Sequence, residues 1–196
     1  MIVLDGKIYR ADDKGNTKEA PCDEGVPFAS VAFLGDAVEF SIENLDTMEA
    51  ATTKLNNFVD GDFGLNSMYV VRMDGSFDRV CARSEKGYCS QHIELSKVLE
   101  KQQKDFVFEN IEGTMVGLYF PDYMNGINLP GWHLHFISKD RKHGGHVFDF
   151  EAKRLECKRT KLNDICLHLP EDAAFDTYSL ASVSEKEAGK VEKNDK

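Results

Sequence analysis

The segment Trp132–Ser138 constrains this chain more than any other, because it alternates and carries histidine at every second position, His133 and His135. Side chains in a strand point to opposite faces with period two, so a strand here sends both imidazoles out from one face. The next stretch, Lys139-Asp140-Arg141-Lys142-His143-Gly144-Gly145, is polar and glycine-rich, which is turn chemistry. The chain is therefore expected to reverse and return as a second strand, His146-Val147-Phe148-Asp149-Phe150. A returning strand can bring His146 beside the first pair. His143 competes for that third place, and the two glycines before His146 favour the latter by allowing a tight bend.

Three converging imidazoles make a metal site that keeps a position open, as catalytic zinc sites do. Neutral imidazole also suits iron, nickel and copper. No aspartate or glutamate stands at a fixed short spacing to complete a mixed triad. An open position can activate water for hydrolysis or stabilise a developing oxyanion or enolate, and spacing does not choose between these. His92 and His168 are single histidines and read as ordinary packed or exposed side chains.

The rest of the chain reads as many strands and few helices. Asp5-Gly6 joins Met1–Leu4 to Lys7–Arg10 as a hairpin. Residues 11–25 read as loop, and Val26–Leu34 as an apolar strand. Leu45, Met48, Thr52, Leu55 and Val59 recur at helical spacing within 41–59, with Asp46 and Glu49 as a capping box and Gly61 and Gly64 ending the helix. Ser67–Met73 and Ser76–Arg83 are expected as a hairpin turning at Asp74-Gly75, and Ser90–Lys104 as a second helix. Phe106–Asn110, Gly113–Phe120, Leu155–Arg159 and Asp164–Leu169 complete the strands, with a loop at Pro121–Gly131. Hairpin-linked strands that do not alternate regularly with helices argue for an α+β fold of mixed or antiparallel sheets in two lobes, with the histidine site on a β-hairpin. After Leu180 the chain turns rich in Ser, Glu, Lys and Ala, which suits a solvated helix or a disordered tail.

With 196 residues the chain can bury one sizeable core. A net charge of -10 argues against nucleic acid, because phosphate binding needs clustered cations. No run approaches the roughly 18 apolar residues that span a bilayer, so no membrane partner is expected. Five cysteines at irregular spacing, without a C-x-x-C pair, read as free thiols in a reducing cytoplasm.

Two further residue sets bear on function. Arg83 closes its expected strand and reads either as a surface cation or as a planar fork for a substrate carboxylate. Trp132 is the single tryptophan and, by alternation, faces away from the histidines into the core. Phe28, Phe120 and Tyr123 suit an apolar pocket and a core equally.

Leu129-Pro130-Gly131-Trp132-His133-Leu134-His135-Phe136-Ile137, followed by Gly144-Gly145-His146-Val147, resembles the signature of the alpha-acetolactate decarboxylases. Other segments agree in order: Met1–Tyr9, Val26-Pro27-Phe28-Ala29, Asp74-Gly75-Ser76-Phe77 through Arg83-Ser84, Glu112–Gly117 and Pro121-Asp122-Tyr123. The resemblance spans essentially the whole chain. It implies zinc held by His133, His135 and His146, and decarboxylation of 2-acetolactate to acetoin and carbon dioxide. Arg83 matches the family's active-site arginine. A C-terminal glutamate of the family would correspond to Glu192 or, second, Glu187. Residues 1–180 would then be the catalytic domain, and 181–196 a tail that folds back over the metal. A homodimer is also implied. The family's leading active-site glutamate would precede Met1, so either an upstream segment with further strands exists or this member lacks that acid. The competing readings are another metal enzyme built on the same imidazoles, a hydrolase or a cupin-like oxygenase, and a family member that binds small molecules without turnover.

Overall fold

The computed structural model describes residues 1–26, 28–62, 64–86, 101–171 and 173–177. Its strands form two antiparallel sheets. The smaller contains β1 (Ile2–Leu4), β2 (Lys7–Ala11) and β3 (Thr17–Glu19) in the order β1-β2-β3. Asp5 and Gly6 both take positive φ, 52° and 74°, which is the turn a two-residue hairpin needs. The expected loop over 11–25 thus contains β3, whose Glu19 pairs with Tyr9.

The larger sheet is built from β4 (Val38–Leu45), β5 (Met68–Glu85), β6 (Gln103–Phe120), β7 (Gly131–Ser138) and β8 (Gly144–Leu162), ordered β4-β8-β5-β6-β7. β7 also pairs with the start of β8, so β5, β6, β7 and β8 close into a ring. Phe77, Val80, Ala82, Met115, Leu134, Phe136, Val147 and Phe150 belong to one buried cluster on its inner side. Helix α1 (Met48–Asp62) closes that core with Ala51 and Leu55, spaced four apart on one stripe. A second short helix, α2, spans Ala173–Thr177. Among the described residues no helix is long and apolar enough to cross a membrane.

Several expectations change at the level of elements. Asp74-Gly75 does not turn. Both lie inside β5, opposite Thr114 and Gly113, and Gly75 has no positive φ. The glycine is there for close approach: a Cβ would stand 2.8 Å from Leu155 Cδ2 and 3.2 Å from the Arg154 carbonyl oxygen on β8. Asp74 accepts hydrogen bonds from Arg72 and Thr114 Oγ1 rather than capping a turn. Likewise 106–110 and 113–120 are one strand, kinked where Asn110 takes φ 50°. Residues 41–45 pair with β8 as part of β4, so the helix begins later, and its cap is Thr47, whose Oγ1 accepts from Ala50 N at 3.1 Å, not Asp46. Of the strand expected over Val26–Leu34, the described residues 26 and 28–34 join no ladder and expose Val31 and Phe33, the latter at 92%. Apolar character there does not report burial, because the long strands already fill the rungs. Asp164–Leu169 likewise joins no ladder, with Leu167 and Leu169 exposed. Most of the helix expected over 90–104, together with His92, lies outside the described residues, while Gln103 and Lys104 belong to β6.

Candidate metal centre

On β7 the expected alternation holds. Leu134 and Phe136 are fully buried in the ring's core, which turns His133 and His135 to its outer face. The turn after β7 is held by Ser138, whose Oγ accepts from the backbone N–H of Lys142 and His143 and donates to Asp140 Oδ1 at 2.6 Å. The Ser138 bond, with one from the Lys142 backbone N–H to Asp140 Oδ1, favours the charged form and holds the Asp140 carboxyl below its usual range. The chain returns antiparallel, with His146 directly opposite His135.

The glycines before His146 serve closeness, not bending, since neither has positive φ. A Cβ on Gly144 would collide with the Phe136 carbonyl oxygen of β7, and one on Gly145 would stand 2.9 Å from the Arg83 carbonyl oxygen of β5. β8 is therefore threaded tightly between β7 and β5 just where His146 begins.

The three ring centroids lie 4.6–5.4 Å apart, and His133 Nε2 is 3.3 Å from His135 Nε2. Donor atoms of all three fall within 4.8 Å of one another. Two imidazoles at about 2.0–2.1 Å from a tetrahedral ion stand about 3.4 Å apart, which the His133–His135 pair matches, so the group could hold a metal ion. His143 is not in the group; its ring packs against Phe108 at 5.5 Å and its backbone bridges to Asn16.

The small sheet covers one side of the cluster. Ile2, Leu4 and Tyr9 pack on Ile137 of β7, with Val116 beside them. Thr17 N donates to Lys142 O at 2.8 Å, and Gly144 N to Gly15 O at 3.0 Å, which ties the sheet to the turn. Asp5 adds ion pairs to Arg72 and Arg141. Burial is the main reason His135 and His146 are held well below the usual imidazole range. The neighbouring imidazole of His133 adds to it in both, and the Arg83 cation in His146. Both rings are thereby neutral at pH 7, the form that donates to a metal.

Arg83 is 5% exposed and sits opposite His146 across β5 and β8. Its Nη2 is 3.2 Å from His146 Nε2. A guanidinium only donates, so that nitrogen presents a lone pair at the contact.

The chain matches the family described as Alpha-acetolactate decarboxylase over residues 1–182. It belongs to that family. The alpha-acetolactate decarboxylases, as the name states, are carboxy-lyases. A relative from Methanosarcina mazei is 32% identical across 98% of this chain, and one from Bacillus licheniformis is 32% identical across 98%. The chain spans 66% and 76% of those two proteins' lengths. The crystal structure of the alpha-acetolactate decarboxylase from Bacillus subtilis superposes with a TM-score of 0.88 at 29% identity, covering 97% of this chain and 80% of that one.

Of the remaining candidates, Trp132 faces away from the imidazoles, with Nε1 donating to Asn56 Oδ1 at 2.8 Å. Phe28, Phe120 and Tyr123 do not share a pocket: Phe120 packs with Met68 and Met124, Tyr123 is 66% exposed, and so is more than half of Phe28. Glu187 and Glu192 lie outside the described residues, as does the tail over 181–196. Two residues escaped the sequence reading. Val116 and Leu118 of β6 stand opposite His135 and His133. Their signal was the alternation of 114–120, readable only once the β6–β7 register is known.

Proposed function

We propose that this chain decarboxylates 2-acetolactate to acetoin and carbon dioxide, using zinc held by His133, His135 and His146, with Arg83 as the substrate-binding cation. The observation that carries this reading is the buried Arg83 placed directly beside a cluster of three imidazoles, in a chain of this family. Losing carbon dioxide leaves an electron pair on the carbon that carried it, delocalised as an enediolate, and a proton then completes acetoin. A divalent cation at the imidazoles supplies Lewis-acid stabilisation for that charge.

Arg83 binds the carboxylate. Its planar fork matches two carboxylate oxygens, and its burial makes the pairing stronger than it would be in water. Its place supports this role: β5 is paired on both sides and the guanidinium lies against His146, at the end of the site where it would hold the departing carboxylate. The small sheet keeps water from the opposite side through Ile2, Leu4 and Tyr9. Glu192, with Glu187 second, is the proposed proton donor, its carboxyl acting on one face of the enediolate. A cytoplasmic homodimer completes the reading, carried over from the family resemblance, and size-exclusion with light scattering tests the assembly.

Acetoin formation from racemic 2-acetolactate, with metal content measured on the same sample, tests the activity. Acetoin with about one zinc per chain supports it. Stoichiometric metal without acetoin keeps the metal site but overturns decarboxylation by this chain, pointing to a truncated or degenerate family member.

A further inference from the structure

The outer face of the ring is ordered across its strands. Val116 pairs with His135, His135 with His146, and His146 with Arg83, so one rung runs apolar, imidazole, imidazole, cation. Leu118 and His133 form the next apolar and imidazole pair on that face. Directly opposed residues of antiparallel strands share a face, with Cβ atoms about 4.5–5.5 Å apart. Leu118 and Val116 therefore flank the imidazoles on the side away from Arg83.

Neither side chain belongs to the main core. Val116 packs under the small sheet with Ile2, Leu4, Tyr9 and Ile137, while Leu118 packs on the separate group of Met68, Phe120 and Met124. Both are only half-buried. The Val116 end is covered by the small sheet, so Leu118 stands at the more open end of the imidazole row.

A branched 2-hydroxy acid has its carboxylate, its oxygens and its alkyl groups on adjacent carbons. With the carboxylate at Arg83 and the oxygens at the imidazole cluster, the alkyl groups point to the remaining side, toward β6. We propose that Leu118, with Val116 behind it, forms the apolar wall that sets how large an alkyl group the site accepts. This rests on the reading of the site as one for a branched 2-hydroxy acid.

The test uses the full chain loaded with cobalt(II), whose absorption reports ligand binding independently of turnover. Two probes are titrated, 2-hydroxy-2-methylpropanoate and 2-ethyl-2-hydroxybutanoate. Leu118→Ala is expected to move the affinity ratio toward the ethyl compound by about tenfold, the usual size of a methylene's discrimination in an apolar pocket. Leu118→Phe is expected to move it the other way, and metal content checks that each variant keeps its site. Ratios unchanged in both variants overturn the wall, as does failure of 2-hydroxy-2-methylpropanoate to bind the unaltered protein or exclusion of the ethyl compound from both the unaltered protein and Leu118→Ala. Turnover of 2-acetolactate, run alongside, separates the two claims. A shifted ratio without turnover keeps the wall and removes the decarboxylase reading; turnover with an unmoved ratio does the reverse.

Discussion

Arg83 and His146 face each other across β5 and β8, with Nη2 3.2 Å from Nε2 although 63 residues separate them in the chain. The β5–β8 pairing, with its register shift between Cys81 and Ala82, sets this relationship, so the cation's distance from the imidazoles is a property of register. Arg83→Ala should therefore leave metal bound while lowering kcat/KM on 2-acetolactate by about 100-fold, the scale of roughly 3 kcal/mol for a lost charge-assisted contact in a dry site. Arg83→Lys should recover only part, because an ammonium lacks the planar fork. Steady-state kinetics with metal analysis checks this; full activity in Arg83→Ala would remove the residue from the site.

His135 is the imidazole that pairs with both Val116 and His146. His135→Ala takes out the central donor, and the expected outcome is protein that folds but no longer retains stoichiometric zinc after dialysis. Elemental analysis reads the result, with circular dichroism confirming the sheet. Retained zinc would show that the ion sits elsewhere.

Gly144 offers a test of the seam between β7 and β8. Its missing Cβ leaves room for the Phe136 carbonyl oxygen, with Ile2 Cδ1 at 3.0 Å and Thr17 Cγ2 at 3.1 Å on the other sides. Backbone cannot yield as a side-chain tip does. Gly144→Ala should cost about 1–3 kcal/mol in denaturant unfolding, as overpacking commonly does, and should weaken metal binding in the same protein. Wild-type stability in this variant would contradict the close-approach role.

Cys157 gives a pH-dependent prediction. Burial pushes its thiol up from 9.0 to about 12. Between those values the unfolded chain releases the proton while the native chain keeps it, so the native state binds more protons and loses stability as pH rises. Melting temperature should fall more steeply above pH 9.0 in the wild type than in Cys157→Ala. Parallel slopes would show that the thiol does not contribute. Native Cys157 should also resist thiol reagents at pH 8 to which the exposed Cys22 and Cys166 respond.

The histidine hairpin was legible in the sequence because it is local. Period-two alternation set the faces of Trp132–Ser138, and polar turn residues set the reversal. The long strands were not legible. Asp74-Gly75 has the chemistry of a turn, and only the nearness of Leu155, eighty positions on, shows that the glycine makes room for β8. The same limit misplaced Val26–Leu34, where apolar residues lie exposed, and hid β4 within a helical pattern that continued across Leu45. Arg83 could be marked as a candidate, but its approach to His146 depends on a bulge between Cys81 and Ala82 that no local pattern announces.

All three imidazoles ride on one hairpin of adjacent strands, whereas the cation arrives on a strand from far earlier in the chain. On the proposed reading, ion binding and anion recognition are therefore separately heritable. Substitutions along β5 would retune what is held at the cation's end while the hairpin keeps its three imidazoles. The reverse also follows: a lineage that lost the arginine would still carry the three-histidine hairpin, ready to be turned to different chemistry.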